Sequence, residues 1–280
     1  MKLKEWLTSN RDLFSGPDLR FLLKTLGLEN YSARIYGQDR VLEPGLLARL
    51  EMIREKYSRG LPLPYILKKE EFYGLSFYVN ENVLIPRNET ELVMEKAVQY
   101  GKKIKAGSVL DLCCGSGVIA VCLKKIFFPR ASVFASDISP AALKVAEKNI
   151  ADHAVEVSLV CTDLFSGFLP EKFDLVVTNP PYVESSLIRG SLAFEPEIAL
   201  NGAEDGLKVI KMIIEDAYCY LRPGGYIISE IGAFQKESIE KLVLASDQYI
   251  IEEWFTDYSG LWRGIVLKKS EVRSQKSETV

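Results

Sequence analysis

The chain has 280 residues, of which 48% are hydrophobic and 26% are charged, and its formal net charge at pH 7 is −3. The length allows two domains with buried cores, and the acidic balance argues against a broad nucleic-acid-binding surface, which is usually basic. Five cysteines without a Cys-x-x-Cys pair and a single histidine, His153, predict reduced thiols and give no pattern for a metal site.

The N-terminus has no apolar stretch long enough for a signal peptide, and no run approaches membrane-spanning length, so we expect a cytoplasmic protein. The hydrophobic periodicity of the first sixty residues is helical, with helix starts at Pro17 and Pro44, and predicts a helical bundle over residues 1–68. The aromatic segment 72–79 predicts a β-hairpin, and we interpret residues 69–84 as the connection between two domains.

Strands and helices alternate in the rest of the chain. Strands are predicted near 108–112, 132–136, 155–161, 173–178, 225–231, 249–256 and 262–268. Helices are predicted near 89–100, 117–127, 139–151, 207–221 and 235–245. This alternation indicates an α/β fold whose mainly parallel sheet has helices on both faces, and the last two strands form an antiparallel pair. Residues 85–268 thus predict a seven-stranded, Rossmann-like S-adenosylmethionine-dependent methyltransferase domain, and residues 269–280 a polar, disordered tail.

Asn179-Pro180-Pro181-Tyr182 directly follows one of the predicted buried strands. The Asn179 side-chain oxygen and the Pro180 carbonyl can each accept a hydrogen bond from one NH₂ group, and the prolines stiffen the turn. Tyr182 offers a face on which a flat amide or base can stack. The pattern is typical of enzymes that methylate amino groups conjugated with a carbonyl or a ring. A plain Asn-Pro turn at a strand end is the simpler alternative.

Cys113-Cys114-Gly115-Ser116-Gly117 connects the predicted strand 108–112 to an apolar helical run, which places backbone N–H groups against a ligand. Asp137 follows the next strand, twenty residues after Gly117, where doubly wound folds place the carboxylate that binds ribose. The turn lacks the full Gly-x-Gly-x-x-Gly order, because position 113 is Cys and position 120 is Ala. This argues against NAD and favours S-adenosylmethionine, which carries no phosphate.

To about residue 268, the chain resembles the glutamine methyltransferases that modify peptide chain release factors. Besides Asn179 to Tyr182, the resemblance rests on Leu84-Ile85-Pro86-Arg87-Asn88-Glu89-Thr90-Glu91, Asp111-Leu112-Cys113-Cys114-Gly115-Ser116-Gly117, Phe194-Glu195-Pro196-Glu197, Asp205-Gly206-Leu207, Pro223-Gly224-Gly225, Glu230-Ile231-Gly232 and Asp257-Tyr258-Ser259-Gly260. It implies S-adenosylmethionine as the methyl donor and a release factor as the substrate, modified at the glutamine of its Gly-Gly-Gln loop. The helical bundle would help to bind that protein.

The resemblance also implies roles for single residues. The donor would lie beside Asn179, with its ribose bound by Asp137 and its adenine by Asp163 and Leu164. Its methionine portion would be bound by the turn Cys113, Cys114, Gly115, Ser116 and Gly117. The acceptor glutamine would be bound by Asn179, Pro180, Pro181 and Tyr182, with Asn179, Pro180 and Tyr182 as the catalytic residues. Arg87 and Glu89 are assigned to the acceptor side by motif alone, and a surface ion pair at a helix start accounts for them equally well.

The chain departs from the family pattern at four positions. Cys113 replaces a glycine and would be strained if the turn needs a positive φ angle. Leu164 stands where some members have Trp, Asn88 where Pro is usual, and Lys68 where Gly is common. None of these changes removes a group that the chemistry needs, although the first two bear on donor binding.

Two other functions fit parts of the pattern. A nucleic-acid amino-methyltransferase, acting on adenine, cytosine or guanine, shares Asn-Pro-Pro-Tyr but needs a base-flipping groove and a positive field for phosphates. A non-catalytic donor-binding module would have no reason to keep all of Asn179, Pro180, Pro181 and Tyr182. We expect a monomeric enzyme that binds release factors transiently and has no stable nucleic-acid or membrane partner.

Overall fold

The computed structural model describes residues 1–28 and 41–271, and the chain divides between Lys69 and Glu70 into two compact units. Residues 29–40 of the predicted bundle and 272–280 of the predicted tail lie outside the described residues. No helix in the described ranges combines the length and the hydropathy that a membrane span requires.

The first unit is helical and packs around one apolar core. Within residues 1–28 and 41–69, its helices are α1 (Leu3–Ser9), α2 (Gly16–Thr25), α3 (Pro44–Ser58) and α4 (Leu63–Leu67). The Ser15 hydroxyl caps α2 by accepting from the Asp18 N–H, and prolines stand in the first turns of α2 and α3, where their missing N–H costs nothing. Trp6 and Leu50 are fully buried between these helices. The indole N–H of Trp6 donates to Glu51 over 2.8 Å.

The predicted hairpin consists of β1 (Glu70–Phe72) and β2 (Leu75–Phe77), joined by Tyr73 and Gly74, both with positive φ angles as tight hairpin turns require. It groups with the second unit, because Phe72 and Phe77 are buried in that unit's core. The Tyr73 N–H also donates to the Glu91 carboxylate over 2.7 Å. The sequence analysis interprets this hairpin as a connection between two domains, whereas in the structure the hairpin packs as part of the second unit.

A seven-stranded sheet, in the order β5-β4-β3-β6-β7-β9-β8, forms the centre of the second unit. The strands are β3 (Ser108–Leu112), β4 (Ser132–Asp137), β5 (Ser158–Cys161), β6 (Phe173–Thr178), β7 (Leu221–Glu230), β8 (Tyr249–Thr256) and β9 (Trp262–Lys269). Neighbouring strands are parallel except β9, which pairs antiparallel with both β7 and β8. The predicted α/β fold class, with its antiparallel final hairpin, is confirmed.

Helices cover both faces of this sheet. They are α5 (Glu89–Ile104), α6 (Val118–Cys122), α7 (Pro140–Asp152), α8 (Glu197–Leu200), α9 (Lys208–Tyr220) and α10 (Lys236–Ser246). Val109 and Val177 face the core under α5, α6 and the hairpin, while Leu110 and Val176 face the core under α9 and α10. Burial on both faces explains why these strands read as continuous apolar runs.

Several element boundaries differ from the sequence-based expectation, among them the start of β7, at Leu221 rather than at 225, and the end of α5, at Ile104 rather than at 100. The helix predicted over 117–127 is a short α6 followed by a π-helical turn, Leu123–Phe127. Strand β5 begins at Ser158 rather than at 155, after Ala154, which has a positive φ angle at the end of α7. Strand β9 extends one residue past the predicted domain end, to Lys269, which pairs with Tyr249 of β8 and whose buried ammonium donates to the Leu221 carbonyl over 2.7 Å.

The packing of the hairpin yields a stability prediction. Phe72→Ala should lower the free energy of unfolding of the second unit by about 3–5 kcal/mol, the usual cost of a cavity left by a buried aromatic ring. Phe234→Ala is the matched control, since this ring is 94% exposed and its loss should change stability by less than about 0.5 kcal/mol. Urea unfolding of the full chain followed by circular dichroism measures both. Equal effects of the two substitutions would mean that the hairpin does not support the core.

Candidate active site

A cleft of about 790 Å³ opens at the carboxyl ends of the parallel strands in the second unit. Because those ends share one edge of the sheet, side chains that are distant in sequence meet there. The predicted site residues that line the cleft are Cys113, Cys114, Gly115, Ser116, Asp137, Asp163, Leu164, Asn179 and Pro181. The predicted residues that lie outside its lining, all of them described, are Gly117, Pro180, Tyr182, Arg87 and Glu89.

The turn after β3 has a backbone that favours small residues. Cys113, Gly115 and Gly117 have φ angles of 59°, 51° and 75°. A Cβ atom on Gly117 would lie 3.1 Å from that of Ala146 in α7, whereas one on Gly115 would meet no atom within 4 Å. Gly115 therefore leaves the cleft open beside the turn. Cys113 occupies the left-handed region, which is the condition under which the sequence analysis expected strain, at a cost of about 1–2 kcal/mol for a residue with a side chain.

Asp137, the last residue of β4, holds this turn in place. One carboxylate oxygen accepts from the Gly115 N–H and the other from the Ser139 N–H, both over 2.9 Å. The carboxylate thus ties the turn after β3 to the start of α7, where the Ser139 hydroxyl caps the helix. Burial raises the pKa of Asp137. Each carboxylate oxygen can accept more than one hydrogen bond, so ribose hydroxyls can share this group.

Asp111 of β3, two residues before Cys113, is a buried acid behind the cleft lining that our sequence analysis did not single out. It is completely buried in β3, and one oxygen accepts from the Ala120 N–H of α6 over 2.9 Å. The other oxygen has no hydrogen-bond partner among the described residues. Burial raises the pKa of Asp111 to about 8, and the nearby Asp137 adds to the shift. A lone acidic residue within an otherwise apolar strand was the signal that could have identified it.

Asn179 is held at the edge of the cleft by hydrogen bonds that continue into the core. Its side-chain NH₂ donates to the Thr90 hydroxyl over 3.1 Å, and the Thr90 hydroxyl donates to the Glu230 carboxylate over 2.7 Å. The other Glu230 oxygen accepts from the Tyr182 hydroxyl over 2.8 Å. Thr90 and Glu230 are buried, with Glu230 only 1% exposed. The sequence analysis included both in motifs but gave neither a role.

Tyr182 is fixed at two points. Besides its hydroxyl bond to Glu230, its backbone carbonyl accepts from the Gln235 side-chain amide over 3.0 Å. Burial raises the pKa of the Tyr182 phenol, and the Glu230 charge adds to this, so the hydroxyl remains a donor at neutral pH. Tyr182 does not line the cleft. Its hydrogen bond to the buried Glu230 therefore supports the Asn-Pro-Pro turn from the side of the protein core.

Arg87 forms an ion pair with Glu195, whose side chain is buried. The other Glu195 oxygen accepts from the Ile85 N–H over 3.0 Å. One carboxylate therefore ties the Ile85–Arg87 stretch to residues about 110 positions further along the chain. The pair joins Arg87 to a buried glutamate that is distant in sequence, so it is not the surface ion pair at the helix start that the sequence analysis left open.

Comparisons with known proteins identify relatives of this chain. The family model of the methyltransferase small domain matches residues 89–195. A release factor glutamine methyltransferase of Geobacter sulfurreducens is 36% identical over 222 residues, 78% of this chain and 77% of that protein. The protein of the same name from Neisseria gonorrhoeae is 39% identical over 220 residues, 77% of this chain and 79% of that protein. A crystal structure of a Pyrococcus furiosus methyltransferase, 17% identical, has a TM-score of 0.51 over 81% of this chain and 99% of that chain, which shows the shared fold.

The burial of Asp111 yields a prediction about pH. Its pKa is raised from 3.8 to about 8, so the folded protein favours the protonated carboxyl, and this stabilisation is lost as pH rises from about 4 to 8. Asp111→Asn should make the free energy of unfolding fall less steeply over this range, by up to about 1.4 kcal/mol per pH unit. Urea unfolding at a series of pH values measures the slope. Asp216→Asn, at an exposed position, should keep the wild-type slope, and an unchanged slope in Asp111→Asn would contradict the assignment.

Proposed function

The chain belongs to the release factor glutamine methyltransferase family, and we propose that it methylates the side-chain amide nitrogen of the glutamine in the Gly-Gly-Gln loop of a peptide chain release factor. The donor is S-adenosylmethionine. Sequence identity of 36–39% to relatives of that name supports the proposal. The structural observation that carries it is the placement of Asn179 at the edge of the cleft, with its NH₂ donating to Thr90 and its oxygen turned away from that bond.

The residues around the cleft fit a donor without phosphate groups. Gly115 leaves open space beside the turn, and Asp137 offers acceptor capacity for a ribose. We assign the turn from Cys113 to Gly117 to the methionine portion, and Asp163 and Leu164 to the adenine. When bound, S-adenosylmethionine supplies an electrophilic methyl group carried by a sulfonium ion.

Asn179 and Pro180 would act on the acceptor glutamine. The glutamine nitrogen is a poor nucleophile, because its lone pair is delocalised into the amide carbonyl. Hydrogen bonds from its NH₂ group to the Asn179 side-chain oxygen and the Pro180 carbonyl would orient the nitrogen and stabilise the positive charge that develops on it. Correct placement of reactants can contribute about 7–11 kcal/mol to catalysis. No strong general base is needed before transfer, because the nitrogen becomes more acidic as it bonds to the methyl carbon and then loses one N–H proton to solvent.

The proposal also covers the role of the first unit, the cellular location and the oligomeric state. The first unit would help to bind the release factor, and the enzyme would work in the cytoplasm as a monomer that binds its protein substrate transiently. Methylation of a nucleic-acid amino group is the alternative, because it uses the same Asn-Pro-Pro-Tyr stretch. The net charge of −3 counts against it, since phosphate binding depends on clustered positive charge.

One experiment tests the function and the role of Asn179 together. The purified full-length chain is incubated with isotope-labelled S-adenosylmethionine and either a release factor, the same release factor with its Gly-Gly-Gln glutamine replaced by alanine, RNA or DNA. We expect label only in the unaltered release factor, on that glutamine by mass spectrometry. Label in RNA or DNA alone, or in no substrate, would contradict the proposal.

Asn179→Ala should lower the methylation rate by roughly 10²–10³, the usual loss when one preorganised polar partner is removed. Donor binding, measured by calorimetry, should stay close to that of the wild type, because the turn after β3 and Asp137 are unchanged. Near-normal turnover by a variant that still binds the donor would refute the role of Asn179.

A further inference from the structure

Glu230 is a buried acid that the proposed chemistry does not use. It is the last residue of β7 and accepts hydrogen bonds from Thr90, at the start of α5, and from Tyr182, in the turn after β6. We propose that Glu230 is a positioning residue that, through Thr90, determines which edge of the Asn179 amide faces the acceptor. This inference rests on the proposed function, since it explains how Asn179 presents its oxygen to the glutamine.

The direction of the hydrogen bonds provides the argument. An ionised carboxylate can only accept, and a threonine hydroxyl has a single proton to donate. Because the Thr90 proton is directed to Glu230, the Thr90 oxygen can only accept from Asn179. The NH₂ group of Asn179 must therefore turn towards Thr90, and the carbonyl oxygen must take the opposite side of the amide plane.

The opposite orientation of Asn179 would be unproductive. Rotation of the amide by half a turn would present its NH₂ group to the NH₂ group of the acceptor glutamine, so that two donors would face each other. The side-chain amide is nearly symmetric in shape, and packing alone distinguishes its two orientations poorly. A fixed hydrogen-bond direction distinguishes them, because the wrong orientation loses the bond to Thr90 and leaves a buried polar group unpaired.

The second oxygen of Glu230 fixes the other end of the same stretch. It accepts from the Tyr182 hydroxyl, while the Tyr182 carbonyl accepts from Gln235. Asn179 and Tyr182, which begin and end the Asn-Pro-Pro-Tyr stretch, are thus both connected to one buried carboxylate. A glutamine at position 230 would be similar in size but would supply only one acceptor oxygen and would add an NH₂ donor.

The surroundings of Glu230 make its charge sensitive to pH. Glu89 and Thr90 of α5, Tyr182 of the turn and Arg263 of β9 face it, and Arg263 is paired with Asp257 over 2.8 Å. Burial raises the pKa of Glu230 to about 7, with Glu89 adding to the rise and the hydrogen bonds and Arg263 opposing it. Protonated Glu230 can donate to Thr90, which frees the Thr90 proton to turn towards Asn179. The productive arrangement therefore belongs to the ionised form and is lost as pH falls below about 7.

Maintaining this carboxylate lowers the stability of the fold. Since folding raises the pKa of Glu230 from 4.5 to about 7, its stabilising contribution falls as pH rises through this range. In Glu230→Gln the loss of one acceptor and the removal of the buried charge change stability in opposite directions, so its melting temperature at pH 8 should stay close to that of the wild type. A substitution that preserves stability while reducing turnover indicates a positioning role rather than a structural one.

The kinetic test uses the full-length chain, labelled S-adenosylmethionine and a release factor. We expect Glu230→Gln and Thr90→Val each to lower kcat about 10- to 100-fold without weakening donor binding, as expected for one or two lost hydrogen bonds. Thr90→Ser, which keeps the hydroxyl, should restore kcat to within about threefold of the wild type. Turnover by the wild type should fall as pH drops from 8 to 6, and this contribution should be absent in Glu230→Gln.

The orientation of Asn179 can also be observed without turnover. In the ¹⁵N-labelled full-length chain, the Asn179 side-chain NH₂ resonances, assigned by their absence in Asn179→Asp, should shift with a midpoint near pH 7 in the wild type but not in Glu230→Gln. If no release factor is methylated, the proposed function fails while this measurement still tests the role of Glu230. Wild-type kcat and pH dependence in Glu230→Gln, equal losses in Thr90→Ser and Thr90→Val, or NH₂ resonances that do not respond to pH would overturn the proposal.

Discussion

A buried carboxylate that accepts from two hydroxyl groups holds together the side of the cleft that we assign to the acceptor. The two oxygens of Glu230 bind Thr90 and Tyr182, which are 140 and 48 residues away in sequence. A charged acceptor inside a protein must be supplied with donors, because an unpaired one costs several kcal/mol. That requirement places the start of α5, the end of β7 and the Asn-Pro-Pro-Tyr turn at one point. The position of Asn179 follows from it.

The order of the strands explains why the sides of the cleft that we assign to the donor and to the acceptor adjoin. Strands β3, β6 and β7 are neighbours, with β6 in the middle. Asp111 lies in β3, Asn179 follows β6, and Glu230 ends β7. Burial raises the pKa values of the two acids, to about 8 for Asp111 and about 7 for Glu230. Buried acids with shifted pKa values are concentrated at functional sites, where hydrogen bonds of fixed geometry offset the cost of their desolvation.

Sequence reasoning predicts the sheet well, because strands covered on both faces appear as apolar runs separated by helical periodicity. It also places Asp137 and Asn179 at the edge where ligands bind, since both follow buried strands. It does not identify the partners Glu230 and Glu195, because a lone acid in an apolar context signals burial without naming its donors. Those donors lie 140 and 110 residues away, and only the folded chain brings them together. The grouping of the hairpin with the second unit likewise depends on tertiary packing.

The central claim concerns geometry, and a crystal structure of the full-length chain bound to S-adenosylhomocysteine and a release factor tests it most directly. Our account predicts that the substrate glutamine NH₂ will donate to the Asn179 oxygen and the Pro180 carbonyl. The sulfur of the bound product should face that nitrogen with room for one methyl group between them. A product bound away from the turn after β3, or a glutamine that contacts Asn179 through the wrong edge of the amide, would contradict the account.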